Sequence, residues 1–375
     1  MTASSATNPS KLRIASVVTG SLTTPQPPGI IYAPIDLAVA LTIGLTERGH
    51  TVTYFAPEGS SIPAGQLETG GLPPLKQSPH TLPILRTVTQ AGRLERIDQA
   101  WTQALIAHML RRAEDGEYDL VHIHPIASGM PLALSHPRVP VVYTLHDPIS
   151  PWRKLLYTQF SSANQWLVSI SQAQRAPAPD LPYAATIYNG VDTSLFPFSA
   201  APGDYLLFVG RMQPNKGVIE AIQVARLSRQ RLILIGTVGP EWQNFWRQQV
   251  APSLNDQITY TGFVTRSQLY QYYQRAKALL MPIQWEEPFG LVMTEAMACG
   301  TPVIALRRGS VPEVLIDGQT GFIVDTINEM ASAVEKIDAI KRTACRQHVE
   351  QHFSLAHMVA AYEKVYYQVL AAHDR

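Results

Sequence analysis

Short apolar runs that fit β-strands alternate along this chain with segments of helical periodicity, and this alternation constrains the fold more than any other feature. Residues 12–18 form such a run, a helical pattern follows at about residues 34–48, and residues 51–55 alternate like a strand. Pro34 suits the first turn of a helix and Gly49 suits its end. The order strand, helix, strand predicts an α/β fold with a doubly wound parallel sheet.

The same alternation starts again after residues 193–203, a stretch with two prolines and several small residues that we interpret as a linker. We therefore predict two Rossmann-like domains facing each other across a cleft, at residues 11–195 and 196–354, followed by a helix in 355–375. Further strands are predicted at residues 120–123, 139–145, 167–170, 186–188, 205–209, 232–235, 258–260, 278–281 and 303–305. Further helices are predicted at about 93–112, 218–228, 267–275 and 289–299. Residues 57–83, rich in Pro, Gly and Ser, are predicted to form a long surface loop.

The composition excludes several classes of protein. Charged residues make up 16% of the chain and the formal net charge is +1, which argues against general nucleic-acid binding. The two cysteines, Cys299 and Cys345, are too far apart to suggest a disulfide framework. Residues 1–13 are polar where a secretory signal has an apolar core, so we interpret them as a short disordered leader. No apolar run approaches the roughly 18 residues of a membrane span. We expect a cytoplasmic protein, with room for peripheral contact with a membrane.

The most informative segment is QWEEPFGLVMTEAMACGTP at residues 284–302, which follows a predicted strand and opens a helix. Gly290 and Leu291 lie in the first turn of that helix, where unpaired N–H groups and the helix dipole favour a phosphate. Glu287 precedes this turn and Glu295 lies eight residues further on. Carboxylates suit the paired hydroxyls of a ribose or hexose. Each glutamate taken singly fits a solvated charge at a helix start equally well.

This segment resembles the E-x7-E signature of glycosyltransferase family 4, here EPFGLVMTE from Glu287 to Glu295. The resemblance implies that Glu287 contacts the donor sugar and that Glu295 holds the ribose hydroxyls. It also implies that main-chain amides between them, at Phe289, Gly290 and Leu291, meet the diphosphate.

A second motif, FVGRMQPNKG at residues 208–217, follows the first strand of the second half. Arg211 offers a fork of N–H donors and Lys216 a point charge, so the two can clamp a pyrophosphate and neutralise a leaving nucleoside diphosphate. Without further context, two surface cations on a loop are the more common interpretation. The segment is similar to the family's G-R-x-x-x-x-K-G motif, which implies the clamp.

A third segment, TGFV at residues 261–264, resembles a family turn whose backbone faces the nucleobase. This implies donor contacts at Gly262, Phe263 and Val264. Residues 309–324, GSVPEVLIDGQTGFIV, also resemble the family's second domain, where their role is mainly structural.

Three histidines in the first half follow or end predicted strands. TLHD at residues 144–147 resembles the family's T-x-H motif, which implies that His146 lies near the reacting face of the sugar. His122 and His124 alternate on one face of a strand end and fit either the acceptor side of the cleft or the packed core. A pair two residues apart does not by itself indicate a metal site. Residues 188–192, YNGVD, match a family element in which we expect a turn.

The first loop departs from the family pattern. Family members with a similar opening carry two adjacent glycines after a tyrosine, here Tyr32, whereas this chain has Ala33 and Pro34. Proline has no N–H and a fixed φ, so one backbone donor is absent. We therefore do not rely on a phosphate contact from the first domain. We assign Tyr32, Ala33 and Pro34 to the acceptor side of the cleft.

Together these features and the resemblance predict a metal-independent glycosyltransferase that moves a sugar from a UDP- or GDP-sugar to a glycan, lipid or small-molecule acceptor. The resemblance implies that the reaction retains the anomeric configuration. The resemblance implies the GT-B fold, a donor held mainly by the second domain, and a C-terminal helix packed back on the first. We assign catalytic roles to His146, Glu287, Arg211 and Lys216. We expect no metal and no cofactor, because no Asp-x-Asp motif occurs. A glycan phosphorylase, a nucleotide-sugar epimerase and a non-catalytic nucleotide-sugar binder are the alternatives.

Overall fold

The computed structural model describes residues 11–27, 30, 32–78, 81–88, 91–201 and 203–374. Residues 1–10 of the predicted leader lie outside the described residues. So do residues 28, 29 and 31 of the first loop. The described part of the chain forms two parallel sheets with helices on their faces.

Seven strands of the first half form one sheet. They are β1 (Arg13–Val17), β2 (Thr51–Phe55), β3 (Gln66–Glu68), β4 (Leu120–Ile123), β5 (Val141–Thr144), β6 (Gln165–Ser169) and β7 (Tyr183–Thr186). Their order is β3-β2-β1-β4-β5-β6-β7 and every neighbouring pair is parallel. At the centre, Ile14 of β1 lies in register with Val52 of β2 and Leu120 of β4. The strand order reverses beside β1, so the carboxyl ends of β1 and β4 open into a crevice.

Six strands of the second half form the other sheet. They are β8 (Tyr205–Val209), β9 (Leu232–Ile235), β10 (Ile258–Gly262), β11 (Ala276–Met281), β12 (Val303–Leu306) and β13 (Gly321–Val324). Their order is β10-β9-β8-β11-β12-β13, again with parallel neighbours. The reversal here lies between β8 and β11, and the two segments with the strongest motifs directly follow these strands.

Helices connect the strands on both faces of each sheet. In the first half they are α1 (Ala33–Glu47), α2 (Leu82–Thr87), α3 (Ala91–Glu114), α4 (Ile126–Ala133), α5 (Pro151–Gln159) and α6 (Gln172–Arg175). In the second half they are α7 (Val218–Leu227), α8 (Gln243–Phe245), α9 (Arg266–Arg275), α10 (Leu291–Ala298), α11 (Val311–Val314), α12 (Ile327–Lys336), α13 (Arg342–His352) and α14 (Leu355–His373). None of the described helices is long and apolar enough to cross a membrane.

The last helix, α14, packs against α1 and the first sheet rather than against the second. Its buried side chains share a core with Leu12, Ile14 and other residues of the first sheet. Gly44 of α1 allows a close approach, because a Cβ there would lie 2.5 Å from Val359 Cγ2. Tyr362 and Tyr366 of α14 are buried in this contact. The end of the chain therefore completes the core of the first half.

Strands β2, β4, β8 and β9 have the predicted bounds. Strand β2 alternates threonine with apolar residues, and the other three are short, mainly apolar runs between polar residues or glycine. The predicted loop at 57–83 holds an additional edge strand, β3, whose three residues are too few and too exposed to show a period. Helix α10 begins at Leu291 rather than Phe289, since Gly290 has a left-handed φ of 76°. The strand predicted at 186–188 lies earlier, as β7. Elements that were not predicted are strand β13 and helices α2, α4, α5, α6, α8, α11, α12 and α13.

Candidate active site

The loop after β8 carries the predicted cations to the carboxyl edge of the second sheet. Gly217 has φ of 80°, and a Cβ there would lie 1.9 Å from Pro282 O, so only glycine fits. The amide of Gln284 donates to Asn215 O at 2.9 Å, which joins this loop to the segment after β11. Arg211 is exposed, and no described residue forms an ion pair with it. The two motifs, far apart in sequence, thus form one surface.

Lys216 and Glu287 contact each other at this surface. Lys216 Nζ lies 2.6 Å from Glu287 Oε2, and Trp285 Nε1 donates to the same oxygen at 3.0 Å. The ammonium also lies 4.8 Å from the centre of the Trp285 ring, within the range of a cation–π contact. No described residue donates to Glu287 Oε1, so one carboxylate oxygen stays open. The arrangement holds a cation and a carboxylate next to each other before any ligand arrives.

The main chain around Glu287 is braced by the loop after β12. Gly309 has φ of 51°, and a Cβ there would lie 2.3 Å from Glu287 O. Ser310 N donates to Glu287 O at 3.0 Å, and Ser310 Oγ donates to Phe289 O at 2.8 Å. The Phe289 side chain is buried in the core, so only its main chain can face a ligand. The predicted structural segment therefore positions the predicted donor-binding segment.

Helix α10 starts directly after this braced turn. Gly290 caps it in the left-handed region, with φ 76° and ψ 65°. The first N–H groups of a helix have no intrahelical partner, and here they follow Gly290 at the sheet edge. Leu291 is the first helical residue and is half-buried. Together with the dipole, these groups provide a place for an anion.

Glu295 lies further along α10, where Tyr273 of α9 holds it. The Tyr273 hydroxyl donates to Glu295 Oε2 at 2.8 Å. Burial raises the pKa of the Glu295 carboxyl above its usual value, while the hydrogen bond from Tyr273 and the charge of Arg266 oppose that rise. No described residue donates to Oε1. One carboxylate oxygen therefore orients the side chain and the other is free to accept from hydroxyls.

The segment after β10 forms another part of the same edge. Gly262 has φ of 75°, and the nearest atom to a Cβ built there would be Tyr260 Oη at 4.0 Å, so there is open space beside it. Gly236 N donates to Gly262 O at 3.0 Å. Phe263 is 43% exposed and Val264 is half-buried. The structure places all three residues at the rim of the second sheet.

The first sheet presents histidines at the corresponding edge. His124 Nδ1 lies 2.8 Å from His146 Nε2, and both residues follow the ends of their strands. His122 is fully enclosed, with its two ring nitrogens 2.8 Å from Thr144 Oγ1 and from Tyr366 Oη. Burial lowers the pKa of His122 to about 3 and that of His146 to about 4, and it lowers the pKa of His124 as well. These three rings are therefore neutral at neutral pH.

The start of α1 is connected across the cleft. Gln26 Oε1 accepts from Tyr32 N at 2.6 Å, and Gln26 Nε2 donates to Asp36 Oδ2 at 3.0 Å. Asp36 forms an ion pair with Arg266 at the start of α9 in the second half. Ala33 and Pro34 form the first turn of α1 between these contacts. The loop before α1 is thus attached to the helix that carries Tyr273.

A second connection between the halves lies at α11. The Glu313 carboxylate accepts from the amides of Gln172 and Ala173 at 2.7 Å each and from the Tyr188 hydroxyl at 3.0 Å. The ion pair of Asp36 with Arg266 and the contacts of Glu313 with α6 thus both connect the two halves.

The structure brings Arg211, Lys216, Glu287 and Glu295 to one edge and His122, His124 and His146 to the other. Sequence reasoning gave no role to Trp285 and Tyr273, which hold the two glutamates. Trp285 lies inside the motif segment, where its position two residues before Glu287 was a usable signal. Tyr273 lies on another helix, and no local pattern marks it. No described residues form a group of three or more potential metal ligands, and metal independence stays a prediction.

Two parts of the chain match known families. Residues 37–195 match Glycosyltransferase Family 4, and residues 198–351 match Glycosyl transferases group 1. The D-inositol 3-phosphate glycosyltransferase of Mycolicibacterium smegmatis is 30% identical over 317 residues, which cover 70% of this chain and 71% of that protein. In three curated relatives the aligned region spans 45%, 71% and 62% of the relative's own length.

Solved structures share the two-sheet architecture. Sucrose-phosphate synthase from Thermosynechococcus elongatus superposes with a TM-score of 0.73 at 19% identity, over 96% of this chain and 100% of that one. Anabaena Alr3699/HepE in complex with UDP and glucose superposes with a TM-score of 0.68 at 19% identity, over 95% and 100% of the two chains. At such identities the likeness shows the fold alone. It confirms two Rossmann-like domains in the GT-B arrangement.

The fold and the family matches define a glycosyltransferase of the GT-B type. The chain belongs to glycosyltransferase family 4, as the motifs around Glu287 and Lys216 indicated.

Proposed function

We propose that the chain is a metal-independent, retaining glycosyltransferase that transfers a sugar from a UDP- or GDP-sugar to a hydroxyl of its acceptor. One observation carries this proposal. Lys216 and Glu287 are paired at 2.6 Å directly before the N-terminus of α10, and Glu295 lies on that helix. Cation, helix N-terminus and two carboxylates together suit a ligand that has both phosphates and hydroxyls.

The diphosphate of the donor would lie between Arg211, Lys216 and the first N–H groups of α10. Arg211 is exposed and unpaired among the described residues, so its guanidinium can meet a phosphate without breaking an existing ion pair. Such donors stabilise the charge that develops on a leaving nucleoside diphosphate. The residues thereby supply the charge that a divalent cation supplies in other transferases.

The nucleoside would lie against Glu295 and the rim at Gly262. Tyr273 occupies Glu295 Oε2, which leaves Oε1 for the ribose hydroxyls. The open space beside Gly262 lets a nucleobase approach the main chain of residues 262–264. Phe263 adds an exposed aromatic surface at the same place.

The sugar would lie in the cleft between Glu287 of the second half and His146 of the first. The bond from the anomeric carbon to the diphosphate oxygen breaks, and the acceptor oxygen bonds to the same face of that carbon. The acceptor proton passes to the leaving phosphate oxygen, so no separate base is needed. Retention of configuration and front-face attack are what family membership leads us to propose.

Binding measurements test the donor class first. Anabaena Alr3699/HepE has been crystallised with UDP-glucose, so uridine donors are the first to examine. A ligand that binds only the folded protein raises its melting temperature. We expect UDP or GDP, and their sugars, to raise it more than CMP or AMP controls at equal concentration.

Product analysis tests the reaction. Incubation with the stabilising nucleotide-sugar and a panel of hydroxyl acceptors should release the nucleoside diphosphate, and proton NMR of the fresh product should show the donor's anomeric configuration. Activity should persist in EDTA. An inverted product, or loss of activity in EDTA with recovery on adding Mn²⁺, would contradict the proposal. Formation of a sugar 1-phosphate from a glycan and inorganic phosphate would instead identify a phosphorylase.

A further inference from the structure

Two histidines of the first sheet share a hydrogen bond. Its direction decides whether the outer nitrogen of His146 is a hydrogen-bond donor or an acceptor. His124 Nδ1 and His146 Nε2 are 2.8 Å apart, and the two rings are inclined by only 16° with centroids 5.1 Å apart. A short N···N contact between nearly parallel rings at this centroid distance means that the rings lie edge to edge in a common plane. The contact is therefore an in-plane hydrogen bond, and one proton lies between the two nitrogens.

His122 keeps the His124 ring in place. Its ring lies face to face with that of His124, with centroids 4.3 Å apart. Both nitrogens of His122 already have hydroxyl partners, Thr144 and Tyr366. His122 thus cannot exchange protons with His124, and it acts as a fixed support.

The outer nitrogen of His124 has no partner. His124 is 8% exposed, and its Nε2 is buried without a hydrogen bond to any described residue. His146 is half-buried, and no described residue hydrogen-bonds its Nδ1. Both rings are neutral at neutral pH, so each carries one N–H.

Two arrangements of protons satisfy this geometry. If His146 Nε2–H donates, His124 must carry its own proton on Nε2, where a buried N–H would have no acceptor. If His124 Nδ1–H donates, the unpartnered atom is only a lone pair, and His146 carries its proton on Nδ1. Orphaned buried N–H groups are the rarer and more costly case, so the second arrangement is favoured.

We propose that His124 is a positioning residue that holds His146 in the Nδ1–H form, so that His146 presents a hydrogen-bond donor to the cleft. A donor there suits an oxygen of the sugar or of the acceptor. It cannot accept the acceptor's proton, because Nδ1 has no free lone pair. The identity of that oxygen rests on the proposed transferase function, whereas the tautomer of His146 does not.

Histidine tautomers can be measured directly in the full-length wild-type protein. Long-range proton–nitrogen correlation spectra of ¹⁵N-histidine-labelled protein, at a pH well above the histidine pKa values, distinguish protonated from unprotonated ring nitrogens. The His146 signals are assigned by their loss in His146→Asn. We expect a protonated Nδ1 and an unprotonated Nε2. A protonated Nε2, or an equal mixture of both forms, would overturn the proposal.

Two substitutions of His124 separate positioning from direct contact. The amide of Asn lies near the place of Nδ1, whereas the longer Gln places its amide near Nε2. His124→Asn can still donate to His146 Nε2 and should keep kcat within about 3-fold, whereas His124→Gln should lower it about 10- to 100-fold, as loss of an orienting partner does. KM for the donor should change little in either variant.

The outcomes are distinguishable from a failure of the proposed function. If the wild-type protein transfers no sugar, the transferase proposal fails, yet the tautomer spectrum still decides the role of His124. Better activity in His124→Gln than in His124→Asn would show that Nε2 contacts a ligand directly and would overturn positioning. Equal losses in both folded variants, with an unchanged His146 tautomer, would do the same.

Discussion

The carboxyl edges of the two sheets share one architecture but present opposite chemistry. The second sheet carries charged side chains that are partly open to the cleft, with Lys216 and Glu287 paired at 2.6 Å and Arg211 exposed. The first sheet carries neutral imidazoles, with His122 buried against helix α14 and His124 buried against His122. The same strand-to-loop geometry therefore supports a charged ligand on one side and hydrogen bonding to neutral groups on the other.

This difference suggests a division of labour. Diphosphate recognition needs formal charge, and ion pairs near solvent can rearrange around a ligand at low cost. Orientation of a hydroxyl needs a fixed donor or acceptor, which buried and mutually bonded rings provide. We expect substitutions in the second edge to affect nucleotide binding and those in the first edge to affect transfer.

The largest effect should come from the cations of the second edge. Lys216→Ala and Arg211→Ala should each lower kcat/KM at least ~10²-fold, because each removes charge that stabilises the leaving diphosphate. Arg226→Ala, an exposed arginine on α7 away from this edge, is the matched control and should have no effect. Near-wild-type turnover in either folded cleft variant would show that the clamp is assigned to the wrong residues.

The two glutamates should separate nucleotide from sugar. Glu295→Ala should weaken free nucleoside diphosphate about 10- to 100-fold, the value of a hydrogen bond to a charged group. Glu287→Ala should leave that affinity nearly unchanged and slow transfer, because its contact exists only when a sugar is attached. Calorimetric titration measures the affinity of each variant for free nucleotide. Equal effects of the two glutamate substitutions on that affinity would contradict the division between them.

Tyr273→Phe sharpens the same comparison. It removes the hydroxyl that orients Glu295 and should weaken nucleotide binding by less than Glu295→Ala does. Tyr272→Phe, on the same helix, is the control and should leave nucleotide binding unchanged.

The first edge should become unstable in mild acid. Burial holds the pKa of His122 at about 3 and that of His146 at about 4, below the usual 6.5. Between about pH 6.5 and pH 4 the unfolded chain binds more protons than the folded chain, so the free energy of unfolding falls as the pH is lowered through this window. The melting temperature should fall by roughly 5 °C or more between about pH 7 and pH 5. The melting temperature of His146→Asn, which has one titrating ring fewer, should fall less over the same pH range. An equal fall would refute this explanation.

The smallest effect should come from the first loop. Replacing Ala33 and Pro34 by two glycines should change nucleotide affinity less than about 2-fold if, as we propose, the second edge holds the diphosphate. The ratio of transfer to donor hydrolysis should shift, since this loop begins the helix whose Asp36 contacts Arg266. A large gain in nucleotide affinity would mean that a missing N–H in the first half limits binding.

The sequence by itself determined the elements and the local motifs. Alternation predicted β2, and short, mainly apolar runs predicted β4, β8 and β9, all at their observed bounds, because the burial of a strand depends on the residues of that strand itself. The motif segments at residues 208–217 and 284–302 were likewise recognisable from local sequence, although the left-handed φ of Gly290 was not. The resemblance of these motifs also indicated the family.

Only the tertiary structure decided which side chains meet. Tyr273 reaches Glu295 from a neighbouring helix, Asp36 reaches Arg266 from the other half of the chain, and His124 lies in the plane of His146. Such contacts depend on strand order and on side-chain direction, and neither of these produces a periodic pattern of residues in the sequence. Which carboxylate oxygen is free, and which imidazole nitrogen carries a proton, is set by partners brought together by folding.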